Sequence, residues 1–494
     1  MSKKSKSDEK KLSYRIPTDA GWANAWKIAA VLGGIGAVAC ALGAMNDPHR
    51  FAFSWLFAFM AFLALGLGGL FITIMLNLTA ASWGVTVRRT AEMLAIGLPV
   101  FAILWVPIAF STQELYPWAT HHGDDHAEEA DEHGEDGHGE DGHGEDGHEH
   151  EEGEEHGLLD FGSPTTVHAQ ETRDPEDLHP DERVDHAHAA PEGEGDHAEH
   201  GEHHDPEHAI HAEIIESKLG YLNEAFFWGR GIFYLLAWIV MAFLFFSWST
   251  RQDKEKGLAL TNKLQNAAPA ATIVLGLTST FAAFDWMMST EPSWFSTIFG
   301  VQYFAVCAVS SFSMVILLTM GLRRAGILGD AVNVEHYHDV GKLLHGFIVF
   351  HAYITFSQFI LIWYAGIPEE ATYYHLRWWG GGGFQNISIL LILGHFIIPF
   401  LGLMSRNAKR TLPVLAFFCA WILVFHIVEV YWLVMPYAEQ TGLVETTLRV
   451  HWMDLAALFA VGGIYMSTVL FMMTRHPLIP VGDPRLARSL AWEQ

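Results

Sequence analysis

Residues Phe51 to Leu78 read FAFSWLFAFMAFLALGLGGLFITIMLNL, without one Asp, Glu, Lys or Arg. As an α-helix this run rises about 42 Å at about 1.5 Å per residue. That exceeds the hydrocarbon thickness of a bilayer, which about 20 apolar residues already span. Nine further runs repeat the pattern. We number the ten α1 to α10: Ala25–Met45, Phe51–Leu78, Ala91–Phe110, Asn223–Trp248, Ala267–Ser289, Phe295–Gly321, Lys342–Tyr364, Phe384–Met404, Leu412–Met435 and Trp452–Met473. The expected fold class is an all-α membrane protein with ten transmembrane helices.

Whole-chain averages hide this. Of 494 residues, 50% are apolar, and Asp+Glu number 56 against 29 Lys+Arg. Yet 32 of those acids and 19 of the 29 His lie between His121 and Ala212, which holds only two Arg. The rest is nearly neutral. No folded basic face exists to release counterions from phosphates, so nucleic acid is not expected as a partner. Cys40, Cys307 and Cys419 sit in apolar runs with no C-x-x-C pair, which argues against thiolate metal sites and c-type haem attachment.

Lys and Arg set the expected orientation. With both termini inside, inner segments hold 22 of the 29, Lys3, Arg88, Arg323 and Arg410 among them. This follows the positive-inside rule, so both termini are expected to be cytoplasmic. The expected organisation is a basic tail (1–24), α1–α3 (25–112), a periplasmic insert (113–222), α4–α10 (223–475) and a cytoplasmic tail (476–494). The basic start lacks a short apolar segment with a cleavage site and reads as a tail, not a signal peptide. The bacterial inner membrane is the expected location.

The insert repeats GEDGH at a five-residue period, placing His133, His138, His143 and His148. It cannot bury enough apolar surface to offset chain ordering, so disorder is expected. Three uses remain open: a solvated linker, weak Zn, Cu or Ni binding, or an acidic brush that attracts a basic cytochrome.

Ionisable groups inside spans are costly and are functional candidates by default. Counting from the inner helix ends places Arg230, Asp285 and Glu429 about 27 Å up, and His351 and His395 about 13 Å up. Arg230 is expected to pair with Asp285 or Glu429. His345, His351, His395, His426 and Glu429 offer a stepped proton path, since imidazole titrates near neutrality. The alternative for each histidine is a plain bond to neighbouring backbone. Bis-histidine haem b is a third option, through His351 and His395. At the α5–α6 junction Asp285, Trp286, Glu291 and Trp294 form an outer polar and aromatic cluster suited to a quinone ring or a partner subunit.

Two stretches carry a family resemblance: FDWMMSTEPSWFSTIFG (Phe284–Gly300) and FSQFILIWYAGIPEEATYY (Phe356–Tyr374). Both resemble motifs of the NrfD/PsrC-like membrane subunits of bacterial alternative complex III. The likeness covers nearly all the membrane part, and the long His-rich insert departs from it. It implies two four-helix bundles, α2–α5 and α6–α9, flanked by α1 and α10. It implies no redox cofactor in this chain. Haem c and iron–sulfur clusters would lie in partner subunits: an iron–sulfur subunit, multihaem and monohaem cytochromes c, and a sister NrfD-like subunit. The complex would oxidise quinol and reduce a cytochrome c or a coupled oxidase. Asp285, Glu291, Glu369 and Glu370 belong to the resembling motifs and rank first as sites. The better-supported quinol site of the family lies in the sister subunit. The rival reading is a polytopic transporter for divalent metal or another small ion.

Overall fold

A computed structural model describes residues 14–119, 213–379, 382–441 and 445–493. Most of the acidic insert, with His133, His138, His143 and His148, lies outside the described residues, as does the side chain of Glu369.

Ten helices are long and apolar enough to cross a membrane. They run α1 Gly21–Ala44, α2 Pro48–Leu78, α3 Val85–Phe110, α4 Glu224–Glu255, α5 Leu258–Thr290, α6 Phe299–Arg324, α7 Val334–Ala365, α8 Phe384–Met404, α9 Leu412–Val434 and α10 Trp452–Arg475. Local chemistry sets several ends. Asp47 caps α2, its side chain accepting from Arg50 N, with Pro48 next. Asn223 caps α4, and an Asn333–His336 capping box opens α7. Gly366, in the left-handed region at φ 64°, ends α7.

Helices α2–α5 pack as one bundle and α6–α9 as a second. The two meet where α2 lies against α6, the two most deeply buried spans. Helices α1 and α10 pair with each other and flank the first bundle. Their crossing depends on small residues. A Cβ on Gly36 would stand 2.5 Å from Ala460 N, and one on Gly463 would stand 2.5 Å from Gly33 Cα. Close backbone approach of this kind replaces the hydrophobic drive that lipid removes. A two-residue antiparallel pair, Gln440–Thr441 with Glu445–Thr446, is the only strand pairing among the described residues.

Several expectations shift, among them the start of α5 at Leu258 rather than Ala267. Helix α3 starts at Val85, not Ala91, so Arg88 and Arg89 lie inside it and are buried. Helix α7 starts at Val334, not Lys342. The ends of the insert are also folded. Tyr116 and Trp118 are buried against Phe227, and Tyr116 OH donates to Trp286 O (3.3 Å). Charge and hydropathy mark none of these, because each element joins the core through side chains placed by distant sequence. The segment after α10 meets the start of the described chain, Leu478 N donating to Tyr14 O (2.9 Å). We call this the terminal end and the opposite face the insert end.

Candidate functional site

In α7, Leu344, Ile348, His351, Ile354, Gln358 and Ile362 recur every three or four residues and are buried. In α9, Leu415, Cys419, Ile422, His426 and Glu429 do the same. Each stripe faces the bundle interior, so His351 and Glu429 enter it with the apolar set. Helix α8 contributes His395 differently. Its Ile392–Ile397 segment is a π turn, a geometry that recurs at functional sites because it re-aims a side chain. Pro399 offers no N–H to the turn before it, and Gly394 O instead accepts from Trp421 Nε1 (2.7 Å). A Cβ on Gly394 would meet the Phe425 ring at 2.0 Å, so any larger residue has to displace that ring where α8 approaches α9.

The three side chains converge. His351 Nε2 donates to Glu429 Oε1 (2.6 Å), and His395 Nδ1 lies 2.7 Å from Glu429 Oε2. All three are buried. The second contact has the distance of a hydrogen bond but not the alignment. Among the described residues Glu429 Oε2 and both ring nitrogens of His395 have no hydrogen-bond partner. Beside the triad lies a cavity of about 450 Å³, walled mainly by Phe356, Phe359, Trp378, Leu391, Phe396 and Trp432. Its polar groups are the triad, Thr355, Tyr374 and Ser388.

The two resembling stretches pack against each other, and the second reaches the cavity wall through Phe356, Phe359 and Tyr374. Trp294 stacks on Tyr373 with centroids 4.0 Å apart, Ser296 Oγ donates to Gln358 Oε1 (3.3 Å), and Gln358 Nε2 donates to Tyr374 OH (3.4 Å). Burial pushes the Tyr374 phenol far above its ordinary value, so it stays protonated at the cavity wall. Beneath it Arg377 is fully buried and donates to Tyr373 O (2.8 Å), Leu433 O (3.1 Å) and Trp432 O (3.3 Å). This cation caps the last carbonyls of α9. Trp432 Nε1 in turn donates to Ser388 Oγ (2.8 Å), fixing the wall indole.

The other sequence candidates fall elsewhere. Arg230 pairs with Asp285, not Glu429: Nε and Nη2 donate to the two carboxylate oxygens at 2.8 and 2.9 Å, and Tyr234 OH adds a third bond (2.8 Å). Trp286 is in the core of the first bundle against Phe59, Trp105 and Trp238, not on an outer face. Glu291 accepts a short bond from Ser293 Oγ. Glu370 is half-buried on the short helix Pro368–Trp378, away from the cavity lining. His426 Nε2 bonds Ala61 O on α2 (2.8 Å), outside the triad although one turn from Glu429. His345 stacks on Phe400 (5.2 Å) with no hydrogen bond between it and His351. The five proposed steps therefore reduce to one compact cluster and two histidines held separately.

Sequence heights misplace His351 because α7 begins earlier than its apolar run. Counted from Val334, His351 stands about 26 Å up, at the level of Glu429. Arg377, Ser388 and Trp432 carry no motif of their own, and Trp378 reads in sequence only as part of an interfacial aromatic belt. Phe356, Phe359 and Tyr374 lie inside a quoted stretch and so carry a signal.

The haem option fits the geometry poorly. The two imidazole centroids are 5.0 Å apart with planes at 48°, and both rings address one carboxylate. Axial ligands of a haem iron face each other across a porphyrin plane, and here the carboxylate occupies that position. No protein-family profile matches the chain, and no curated protein matches it.

Proposed function

We propose that this polytopic helical membrane protein is a subunit of a quinol:cytochrome c oxidoreductase of the alternative complex III type, of the kind called ActF. In this reading the triad cavity receives a quinol head group and takes up its protons. The observation that carries it is a lipid-depth cavity with aromatic and aliphatic walls that ends on a carboxylate held between two imidazoles. An apolar ring and tail suit the walls. Oxidation of a quinol to a quinone releases two protons with two electrons. Imidazole beside carboxylate accepts protons near neutral pH. The electrons pass to haem c and iron–sulfur centres in partner subunits. The two resembling stretches support the reading, since they pack against each other and the second contributes Phe356, Phe359 and Tyr374 to the cavity wall. A cytoplasmic placement of both termini and a periplasmic insert complete it.

The test is mild-detergent isolation of the tagged native protein, with mass spectrometry and a visible spectrum. The expected result is co-isolation with multihaem cytochrome, iron–sulfur and sister NrfD-like subunits, and quinol-dependent cytochrome c reduction that falls in Glu429→Gln. Recovery of a colourless, stable, solitary chain would sink the complex reading. The transporter reading draws on the ligand-like spacing of the triad. Against it, the space beside the triad is walled by Phe, Trp, Leu and Ile rather than by a polar ion path.

A further inference from the structure

His351, His395 and Glu429 each offer one ligand atom, and these atoms lie within 4.8 Å of one another. They come from three helices, so their convergence belongs to the packed bundle and not to a flexible loop. His395 Nδ1 lies 2.7 Å from Glu429 Oε2, and among the described residues His395 Nε2 has no hydrogen-bond partner. A buried carboxylate between two buried imidazoles leaves lone pairs that are costly to leave unsatisfied, and an ion supplies them a shared partner.

We propose that the triad binds a divalent cation of the zinc class. Two imidazoles and one carboxylate form the donor set of three-ligand zinc sites. The same set suits Co²⁺ and Fe²⁺, whereas Mg²⁺ and Ca²⁺ require oxygen donors. Bond lengths of about 2.0–2.2 Å at tetrahedral angles place neighbouring ligand atoms about 3.3–3.6 Å apart. The present contacts of 2.6 and 2.7 Å need to open by roughly 0.6–1 Å to reach that spacing. The remaining coordination positions face the cavity. Metal-bound histidines are normally braced through their second nitrogen, and His395 Nε2 has no such brace among the described residues. The site therefore holds an exchangeable ion rather than a structural one. If the cavity receives quinol, the ion occupies its proton acceptors and blocks turnover. That consequence rests on the quinol reading; the binding does not.

The experiment is a Co²⁺ titration of the purified full-length chain, read by visible absorption and displaced with Zn²⁺. Four- and five-coordinate Co²⁺ absorbs far more strongly than the six-coordinate ion, and loss of the band in the triad variants assigns it to the triad rather than to the His-rich insert. The expected band is strong in the wild type and lost in His395→Gln and Glu429→Gln, both checked for unchanged size-exclusion elution. Zinc-edge X-ray absorption of the wild type at one equivalent, after displacement of Co²⁺, needs no variant and should show two imidazoles. A wild type without the strong band, a band that persists in both variants, or an all-oxygen zinc shell overturns the proposal. In the native complex Zn²⁺ should inhibit competitively with quinol. Binding without inhibition removes the quinol reading and leaves the metal site. Loss of turnover in Glu429→Gln without any Co²⁺ band does the reverse.

Discussion

In the first bundle Asp285 meets Arg230 in a two-pronged pair, and Glu92 lies between Arg88 and Arg89, which reach on to Asp483 and Asp253. Beside Asp285 the rings of Phe59, Trp105, Trp238 and Trp286 fill the interior. In the second bundle Glu429 meets two imidazoles and a cavity instead. Both carboxylates are buried within the spans. Arginine remains charged at any accessible pH and makes rigid pairs, so its partner is fixed in one state. Histidine changes charge near neutrality. The pairing partner thus separates a carboxylate that locks helices from one that can exchange a proton or a ligand.

The largest expected effect breaks the locked side of that contrast. Asp285→Ala strands a buried guanidinium, and removing one partner of such a pair costs about 3–5 kcal/mol. We expect loss of folded protein on size exclusion and a strongly lowered unfolding temperature. Glu429→Ala leaves no stranded cation and should fold nearly as the wild type does. Equal destabilisation by the two changes would erase the distinction.

Next comes the exchangeable side. Glu429→Gln keeps shape and removes the proton acceptor. Quinol turnover of the assembled complex should fall about 100-fold, roughly 2.7 kcal/mol in the barrier. Asp285→Asn in whatever complex still assembles should leave the turnover per complex close to normal. A Glu429→Gln complex with full turnover would place the chemistry elsewhere.

The terminal end gives a smaller effect with a defined pH window. Burial raises the Asp483 carboxyl, but Arg485 and Arg88 outweigh it and hold it at about 2. A carboxyl depressed in the folded state stabilises above its unfolded value of about 4. That contribution is lost as pH falls towards 2, and it amounts to about 2 kcal/mol. Unfolding midpoints of the wild type should therefore drop between about pH 4 and pH 2. Those of Asp483→Asn should start lower and change less over the same range.

Much of this contrast was visible in the chain before folding, though unevenly. Ten spans follow from apolar run length, which bilayer thickness makes decisive. The Arg230–Asp285 pair follows from cost, since a guanidinium at that depth needs a counter-ion. Joining His351 to Glu429 required the true start of α7, and that start lies in the polar residues Val334–Asp339, which hydropathy assigns to a loop. His351 and His395 are legible as a pair at one level on facing helices, whereas the π turn that aims His395 at Glu429 has no diagnostic residue pattern. Glu92, Asp253 and Asp483 come from three distant segments and look like ordinary surface charges in sequence. Cavities are hardest of all, because an aromatic residue that lines a void reads the same as one that fills it.

The smallest effect tests whether burial, rather than charge pairing itself, separates the regions. Arg251 and Glu255 face each other one turn apart on α4, with Nε to Oε1 at 2.5 Å, close to the length of the buried pairs. Their side chains are 65% and 50% exposed. Water screens such a pair and side-chain ordering offsets it, so it contributes about 0.5 kcal/mol or less. Arg251→Ala should leave the unfolding midpoint within error of the wild type at physiological salt, and added salt should change nothing further. If it cost as much as Asp285→Ala, the stability at Arg230–Asp285 would reflect pairing geometry alone. The argument that an unpaired buried charge is what makes the first bundle intolerant would then fail.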